Sequence, residues 1–209
     1  MIGIIDYGMG NLGSVTNACQ FLGLPARILA QPGEAADCTA LILPGVGAFG
    51  DCMKHLREHG WVDPVRAWIQ ADRPFLGICL GLQVLYEGSE ESPGVAGLGV
   101  LPGLIRRFPD RPGFKVPQIG WNGVRQTRPA CPLFQGIADG TFFYFVHSFR
   151  ADADGSAVAG CTDFGGDYGS VVWQGRMAAV QFHPEKSQRA GLQLLQNYAA
   201  WADVLEARP

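Results

Sequence analysis

The first 90 residues alternate between short apolar runs and segments of helical period, and this alternation constrains the fold more than any other feature of the chain. "IGIID" near the start is an apolar strand, and "NLGSVTNACQFLGL" after it carries apolar residues at helical spacing. "ARILA" and "ALILP" are further strands, and "DCMKHLREHG" and "PVRAWIQADR" are helices separated near Gly60 and Pro64. "PFLGIC" is another strand, leading into the helix "LGLQVLYEG". Such a sequence of elements predicts an α/β fold with a mainly parallel central sheet flanked by helices.

After Gly88 the texture changes. "LGVLPGLIRRF", "KVPQIGWNGV", "FFYFVHSF", "SAVAGCT", "YGSVVWQG" and "MAAVQFHPE" are Gly/Pro-punctuated runs that predict an antiparallel β extension. An amphipathic helix, "SQRAGLQLLQNYAAWADVLEA", closes the chain. The sequence holds no internal repeat, low-complexity tract or long linker, so the extension is expected to continue the same sheet and residues 1–209 to form a single domain. At 209 residues and 47% hydrophobic content such a domain can bury a sizeable core.

Charge and cysteine usage exclude several function classes. A net charge of −3 without a basic stripe speaks against nucleic acid and against an anionic membrane surface. "MIGIIDYGMGNLGSV" has no basic leader and only a short apolar run, so neither a signal peptide nor a membrane span is expected, and a cytoplasmic location follows. The six cysteines are scattered without CxxC spacing, which predicts reduced thiols and no zinc or disulfide framework.

One of those cysteines stands in a special setting. "GICLG" is a G-x-C-x-G pattern between a predicted strand and a predicted helix, the form of a nucleophile elbow with sulfur in place of oxygen. The partial positive charge at a helix N-terminus favours the thiolate form of a nucleophile placed there. Cys79 also suits a plain core position, because cysteine is among the most buried residue types. A cysteine nucleophile needs a base, and His183 in "QFHPEKS" has the best setting of His55, His59, His147 and His183. It ends an apolar strand, and Glu185 two residues on can orient the imidazole. A solvated turn would show the same tripeptide. His55 and His59 are spaced i, i+4 without a third ligand, which reads as a solvated helix face and not a metal site. "LILPGVGAFGD" supplies the third piece: glycines around Val46 let the backbone approach a ligand and offer an N–H to a developing oxyanion, with the amide of Leu80 as second donor.

Together, "GICLGLQ", "HPE" and "PGVGAFG" make the chain resemble the class I glutamine amidotransferases, whose Cys-His-Glu triad releases ammonia from glutamine. "DYGMGNLGSV", "KVPQIGWN" at 115–122, "FYFVHSF" at 143–149 and "QFHPEKS" at 181–187 are similar to the glutaminase subunits of imidazole glycerol phosphate synthase, along essentially the whole chain. The resemblance implies a flavodoxin-like class I amidotransferase fold. It implies Cys79 as nucleophile, His183 as proton shuttle and Glu185 as its orienting partner, with Val46, Gly47 and Leu80 at the oxyanion. It further implies that Gly47, Gln83, His147 and Ser148 bind the substrate glutamine, with no cofactor and no metal. The implied partner is a (β/α)8-barrel cyclase forming a heterodimer, docked near Gln118, Trp121, Asn122, Tyr144 and Lys186. Many family members have histidine where this chain has Gln118, and a glutamine there can hydrogen-bond but not carry a proton.

Three other readings compete on sequence alone. The chain could feed ammonia to a different synthase, as a paralogue, and the triad does not separate that case. A non-catalytic scaffold subunit is opposed by the intact Cys79, His183 and Glu185 set. A related cysteine hydrolase would share the elbow, but Gln83 and the HPE spacing favour an amidotransferase.

Overall fold

A computed structural model describes residues 1–110 and 115–204. Five strands form a parallel sheet in the order β2 (Ala26–Leu29), β1 (Ile2–Ile5), β3 (Ala40–Gly45), β4 (Phe75–Cys79) and β12 (Met177–Val180). Beyond β12 the sheet continues antiparallel through β11 (Asp167–Gln174), β10 (Val158–Asp163), β7 (Gln118–Gln126) and β8 (Thr141–His147). A short side ladder of β5 (Gly88–Ser89), β6 (Leu104–Arg107) and β9 (Phe149–Asp152) joins β11. The predicted parallel sheet with an antiparallel extension is therefore the observed architecture.

Both faces of the parallel half are covered, which is why its strands read as continuous apolar runs. Ala40 and Ile42 of β3 and Leu76 and Ile78 of β4 point to one face. They pack there with Val15 and Cys19 of α1 (Leu12–Phe21) and Leu194, Leu195 and Tyr198 of α5 (Gln188–Trp201). Leu41, Leu43 and Phe75 point to the other face, against α2 (Phe49–Glu58) and α3 (Val62–Gln70). The buried set Phe49, Cys52, Met53 and Leu56 follows the i, i+3, i+4, i+7 spacing of one helix face.

The departures from the sequence expectation have physical causes. Pro64 does not separate the helices; it sits in the first turn of α3, where its missing N–H has no intrahelical partner to lose. The helix expected over "LGLQVLYEG" is only one turn, α4 (Leu80–Gln83), because the backbone N–H groups of Leu98, Val100 and Leu101 turn back to bond the carbonyls of Val84 and Leu85. The closing helix ends at Trp201, and residues 205–207 of the expected element lie outside the described residues. "FFYFVHSF" is two strands, β8 and β9, parted at Ser148. The largest difference is "MAAV": β12 is antiparallel to β11 as expected, yet on its other side it pairs parallel with β4.

Candidate active site

That parallel pairing assembles the site. In register, Gly45 of β3 lies beside Cys79, and Val180 of β12 lies beside Ile78 of β4. Three parallel strands thus end at one level, the edge where open α/β sheets place ligands. β3 delivers the Pro44–Gly47 loop, β4 delivers Cys79, and β12 delivers Gln181 and His183. These segments are far apart in sequence and meet only through strand order.

At the end of β4 the chain turns sharply, and Cys79 takes φ 56° and ψ −107°, a conformation that L-residues rarely adopt. The flanking glycines are required by packing. A Cβ on Gly77 would sit 2.5 Å from the Gly81 carbonyl oxygen, and one on Gly81 would collide with the Leu43 carbonyl of β3. Strand β3 thus lies directly against the elbow, which holds the strained residue with its thiol toward a cavity of about 310 Å³. Cys79 is 7% exposed.

His183 follows β12 and opens the short 3₁₀ turn Pro184–Lys186. The turn is fastened to β8 by two hydrogen bonds and closed by a third within itself. The His183 N–H donates to the Tyr144 carbonyl at 2.9 Å, the Tyr144 N–H donates to Ser187 Oγ at 2.9 Å, and the Ser187 hydroxyl donates to the His183 carbonyl at 2.6 Å. The His183 Nδ1–H donates to Glu185 Oε1 at 2.8 Å, with both side chains almost wholly buried. Its Nε2 is buried and makes no hydrogen bond of ordinary geometry, so this nitrogen is open to the thiol beside it. Such contacts are commonly loose before substrate arrives. Burial pushes the imidazole down, but hydrogen bonding to and the negative charge of the Cys79 sulfur and the Glu185 carboxylate outweigh it and raise His183 from 6.5 to about 10. The imidazolium is the favoured state at neutral pH.

The other residues singled out in the sequence fall into two groups. Val46, Gly47, Leu80, Gln83, His147 and Ser148 all line the Cys79 cavity. Gln83 Nε2 donates to the Phe149 carbonyl at 3.1 Å and to Gln181 Oε1 at 3.0 Å. His147 lies opposite Gln118 in the β7–β8 pair. Its Nδ1–H donates to the Phe149 carbonyl at 2.8 Å, and its Nε2 meets the Tyr168 hydroxyl at 3.2 Å. Burial lowers His147 to about 4, the Phe149 carbonyl opposing the shift and the charge of His183 adding to it. The Tyr168 hydroxyl lies 3.2 Å from His147 Nε2 and 2.9 Å from Gln118 Oε1, and so joins the two side chains in the core.

The second group lies outside the cavity. Gln118 is buried and faces the core, while Trp121 and Lys186 are exposed and Asn122 and Tyr144 are half-buried. Trp121 and Tyr144 are paired across β7 and β8, their rings 6.1 Å apart and edge to face. Asn122 donates from Nδ2 to the Asp163 carbonyl at 2.8 Å. His55 of α2 and His59 just past its end stack 6.0 Å apart, away from the cavity, with His59 Nδ1 2.9 Å from the His55 carbonyl.

Sequence reading passed over two polar residues of the site. Glu91 lines the cavity, and its Oε2 accepts the Phe49 N–H at 2.7 Å, next to Ser92 Oγ, which accepts the Gly50 N–H at 2.9 Å. The pair caps the start of α2, just after the glycine loop. No periodic pattern marks it, because the segment after β5 reaches α2 across 42 residues of chain. Gln181, fully buried, approaches Cys79 Sγ to 3.7 Å. A polar residue two positions before His183 in an otherwise apolar strand was the available signal.

Comparisons with known proteins are specific. The family model "Glutamine amidotransferase class-I" matches residues 4–200. Imidazole glycerol phosphate synthase subunit HisH of Desulfitobacterium hafniense is 48% identical over 204 residues, covering 97% of this chain and 95% of that one. The subunit of the same name from Moorella thermoacetica is 48% identical over 198 residues, with coverage of 94% and 93%. Among solved structures, a glutamine amidotransferase superposes with a TM-score of 0.74 at 22% identity, covering 96% of this chain and 98% of that one. PurLQS from Thermotoga maritima gives 0.74 at 17% identity, with 96% and 97% covered. At those identities the structures speak for the fold alone; the family match and the near-full-length relatives settle membership, and this chain belongs to the class I glutamine amidotransferases.

Proposed function

We infer that the chain is the glutaminase subunit of imidazole glycerol phosphate synthase, hydrolysing glutamine to glutamate and ammonia for use by the synthase. The observation that carries the chemistry is the convergence of the Cys79 elbow, the His183–Glu185 pair and the Pro44–Gly47 loop on one cavity at the ends of three parallel strands. The cavity lies at the small end of ligand pockets, which span roughly 300–1,000 Å³, and so suits a single amino acid better than a peptide.

In the proposed mechanism the Cys79 thiol passes its proton to His183 Nε2, leaving a thiolate beside an imidazolium. The sulfur attacks the side-chain carbonyl carbon of glutamine, and the oxyanion is taken by the backbone N–H groups of Leu80 and of the Val46–Gly47 loop. His183 gives its proton to the departing amine, which leaves as ammonia, and a thioester remains. Water enters, His183 takes a proton from it, and collapse of the second tetrahedral intermediate expels the thiolate and releases glutamate. Glu185 holds the imidazole in one tautomer and stabilises its charge. Gln83, His147 and Ser148 line the far side of the cavity, where the amino-acid end of glutamine would lie, and the Glu91 carboxylate suits its ammonium group.

Ammonia must reach the second active site before it meets bulk water, and a docking face beside the cavity meets that need. The outward side of the β7–β8 pair carries Ile119, Trp121 and Phe142, exposed by 64%, 45% and 59%. An apolar patch of this kind marks an interaction site. It runs into the cavity through Val146 and Pro117, which line both. This supports a (β/α)8-barrel cyclase as the partner in a heterodimer, with Trp121, Tyr144 and Lys186 at or near the contact. All six cysteines are free, and among the described residues no helix is long and apolar enough to cross a membrane. We place the enzyme in the cytoplasm, and the continuous sheet supports reading residues 1–209 as one amidotransferase domain. The test is co-purification with a barrel cyclase followed by glutamine-dependent formation of imidazole glycerol phosphate. Complex formation with glutamine-dependent product supports the assignment; a chain that hydrolyses glutamine but serves another synthase would overturn it.

A further inference from the structure

Gln181 is a polar side chain beside the sulfur without a role in the mechanism above. It is fully buried, one residue past the β12 strand end that pairs with Ile78, and its Nε2 lies 3.7 Å from Cys79 Sγ, a separation that the larger radius of sulfur allows. Its Oε1 accepts from Gln83 Nε2 at 3.0 Å, and Gln83 Nε2 also donates to the Phe149 carbonyl at 3.1 Å. An unbroken chain of hydrogen bonds therefore runs from a main-chain carbonyl of β9 to the sulfur.

The direction of that chain follows from its two ends. The ends of an amide differ only in their hydrogens, so orientation is assigned from partners. The Phe149 carbonyl can only accept, so Gln83 turns its NH₂ toward it, and the second hydrogen of that NH₂ goes to Gln181 Oε1. Gln181 is left with its own NH₂ facing Sγ. A thiolate likewise only accepts, so both ends demand the same direction and neither amide can flip without losing a buried hydrogen bond.

We propose that Gln181 is a further catalytic residue, the amide donor to the Cys79 sulfur, and that Gln83, tied to the Phe149 carbonyl, locks it in the donating orientation. The catalytic part rests on the glutaminase reading; the contact with sulfur does not. Sulfur carries negative charge before attack and again when it is expelled from the second tetrahedral intermediate. In the thioester between them it is neutral and a poor acceptor. A fixed donor at this point favours the charged states over the acyl-enzyme and shields the thiolate from the cost of burial.

The test uses a reaction of the sulfur that needs no glutamine. Iodoacetamide is added to the full chain, the thiolate forms a bond to its carbon and iodide leaves, and labelling of the Cys79 peptide is followed by mass spectrometry. Gln181→Leu is expected to slow labelling by about 10-fold, the scale of one hydrogen bond to a charged group. Gln181→Glu, with an oxygen where the NH₂ was, is expected to slow it further. Gln83→Leu is expected to slow it less, because it only frees Gln181 to flip, and it supplies the test if the Gln181 variants do not fold. The double variant Gln83→Leu/Gln181→Leu should label no more slowly than Gln181→Leu alone, since Gln83 reaches the sulfur only through Gln181. Labelling of Gln181→Leu at the parent rate, or losses that multiply in the double variant, would overturn the proposal. If the parent chain labels rapidly but the complex releases no glutamate, the glutaminase reading fails while the sulfur contact stands.

Discussion

Replacing Glu185 by glutamine removes a charge from the site while keeping the shape, and the structure sets the size of the effect. Glu185 Oε1 accepts the His183 Nδ1–H at 2.8 Å in a place nearly closed to solvent, and its Oε2 has no partner. The glutamine Oε1 can still accept from Nδ1–H, so the tautomer is retained and a charge-assisted bond becomes a neutral one. Bonds to charged groups contribute about 1.5–3 kcal/mol and neutral ones about 0.5–1.5 kcal/mol, a difference of roughly 1–1.5 kcal/mol in stabilising the imidazolium. That corresponds to a fall of about 10-fold in turnover. Stability should fall by a similar amount, about 1–1.5 kcal/mol, because the buried imidazolium loses its charged partner while keeping a neutral acceptor. The assay is glutamate release by the assembled complex, with the His183 imidazole followed by NMR as pH rises. Its transition, near 10 in the parent because of Cys79 and Glu185, should move down. Turnover equal to the parent with an unmoved transition would refute the orienting role; a large loss of stability would make Glu185 a structural residue instead.

Three further outcomes follow from single features. His147 is held to about 4 by burial, so between pH 6.5 and 4 the unfolded chain takes up a proton that the folded chain refuses. Stability should fall as pH drops through that window by roughly 3 kcal/mol in total, and urea titrations of His147→Gln should lack this part of the pH dependence. Gly47 has φ +94° and a Cβ there would lie 2.9 Å from Met9 Cε. Gly47→Ala is expected to lose about 1–3 kcal/mol of stability and a larger share of glutaminase turnover, with partner binding intact by calorimetry. Trp121→Ala, on the exposed face of β7, should leave the thermal midpoint of the free chain unchanged and weaken docking of the cyclase by about 30-fold, the scale of an aromatic interface anchor, read from a binding titration.

What was legible in the sequence was local, and what was not depended on distant pairings. The Cys79 elbow and the HPE turn are contiguous motifs whose glycines, proline and charges act within a few residues of themselves. The parallel half was equally legible, because strands buried on both faces, such as Leu41 to Leu43, read as unbroken apolar runs. The bringing together of Cys79 and His183 was not visible, since it depends on β12 inserting beside β4, and an apolar "MAAV" suits either strand direction. Gln118 shows a second limit. In a strand the side chain alternates between faces, so one position decides whether a polar residue meets a partner protein or, as here, Tyr168 and His147 in the core. Glu91 was hidden because a segment of short bridges and turns, without a period of its own, carries it to the cavity.

The central claim is that the Cys79 sulfur performs the glutamine chemistry and that the partner needs only the ammonia it releases. Cys79→Ala in the assembled complex tests this most directly, with synthase product measured first from glutamine and then from an ammonium salt. Product formation from glutamine should disappear while formation from ammonium continues at the parent rate. Glutamine-dependent product at the parent rate in that variant would contradict it and return Cys79 to the core.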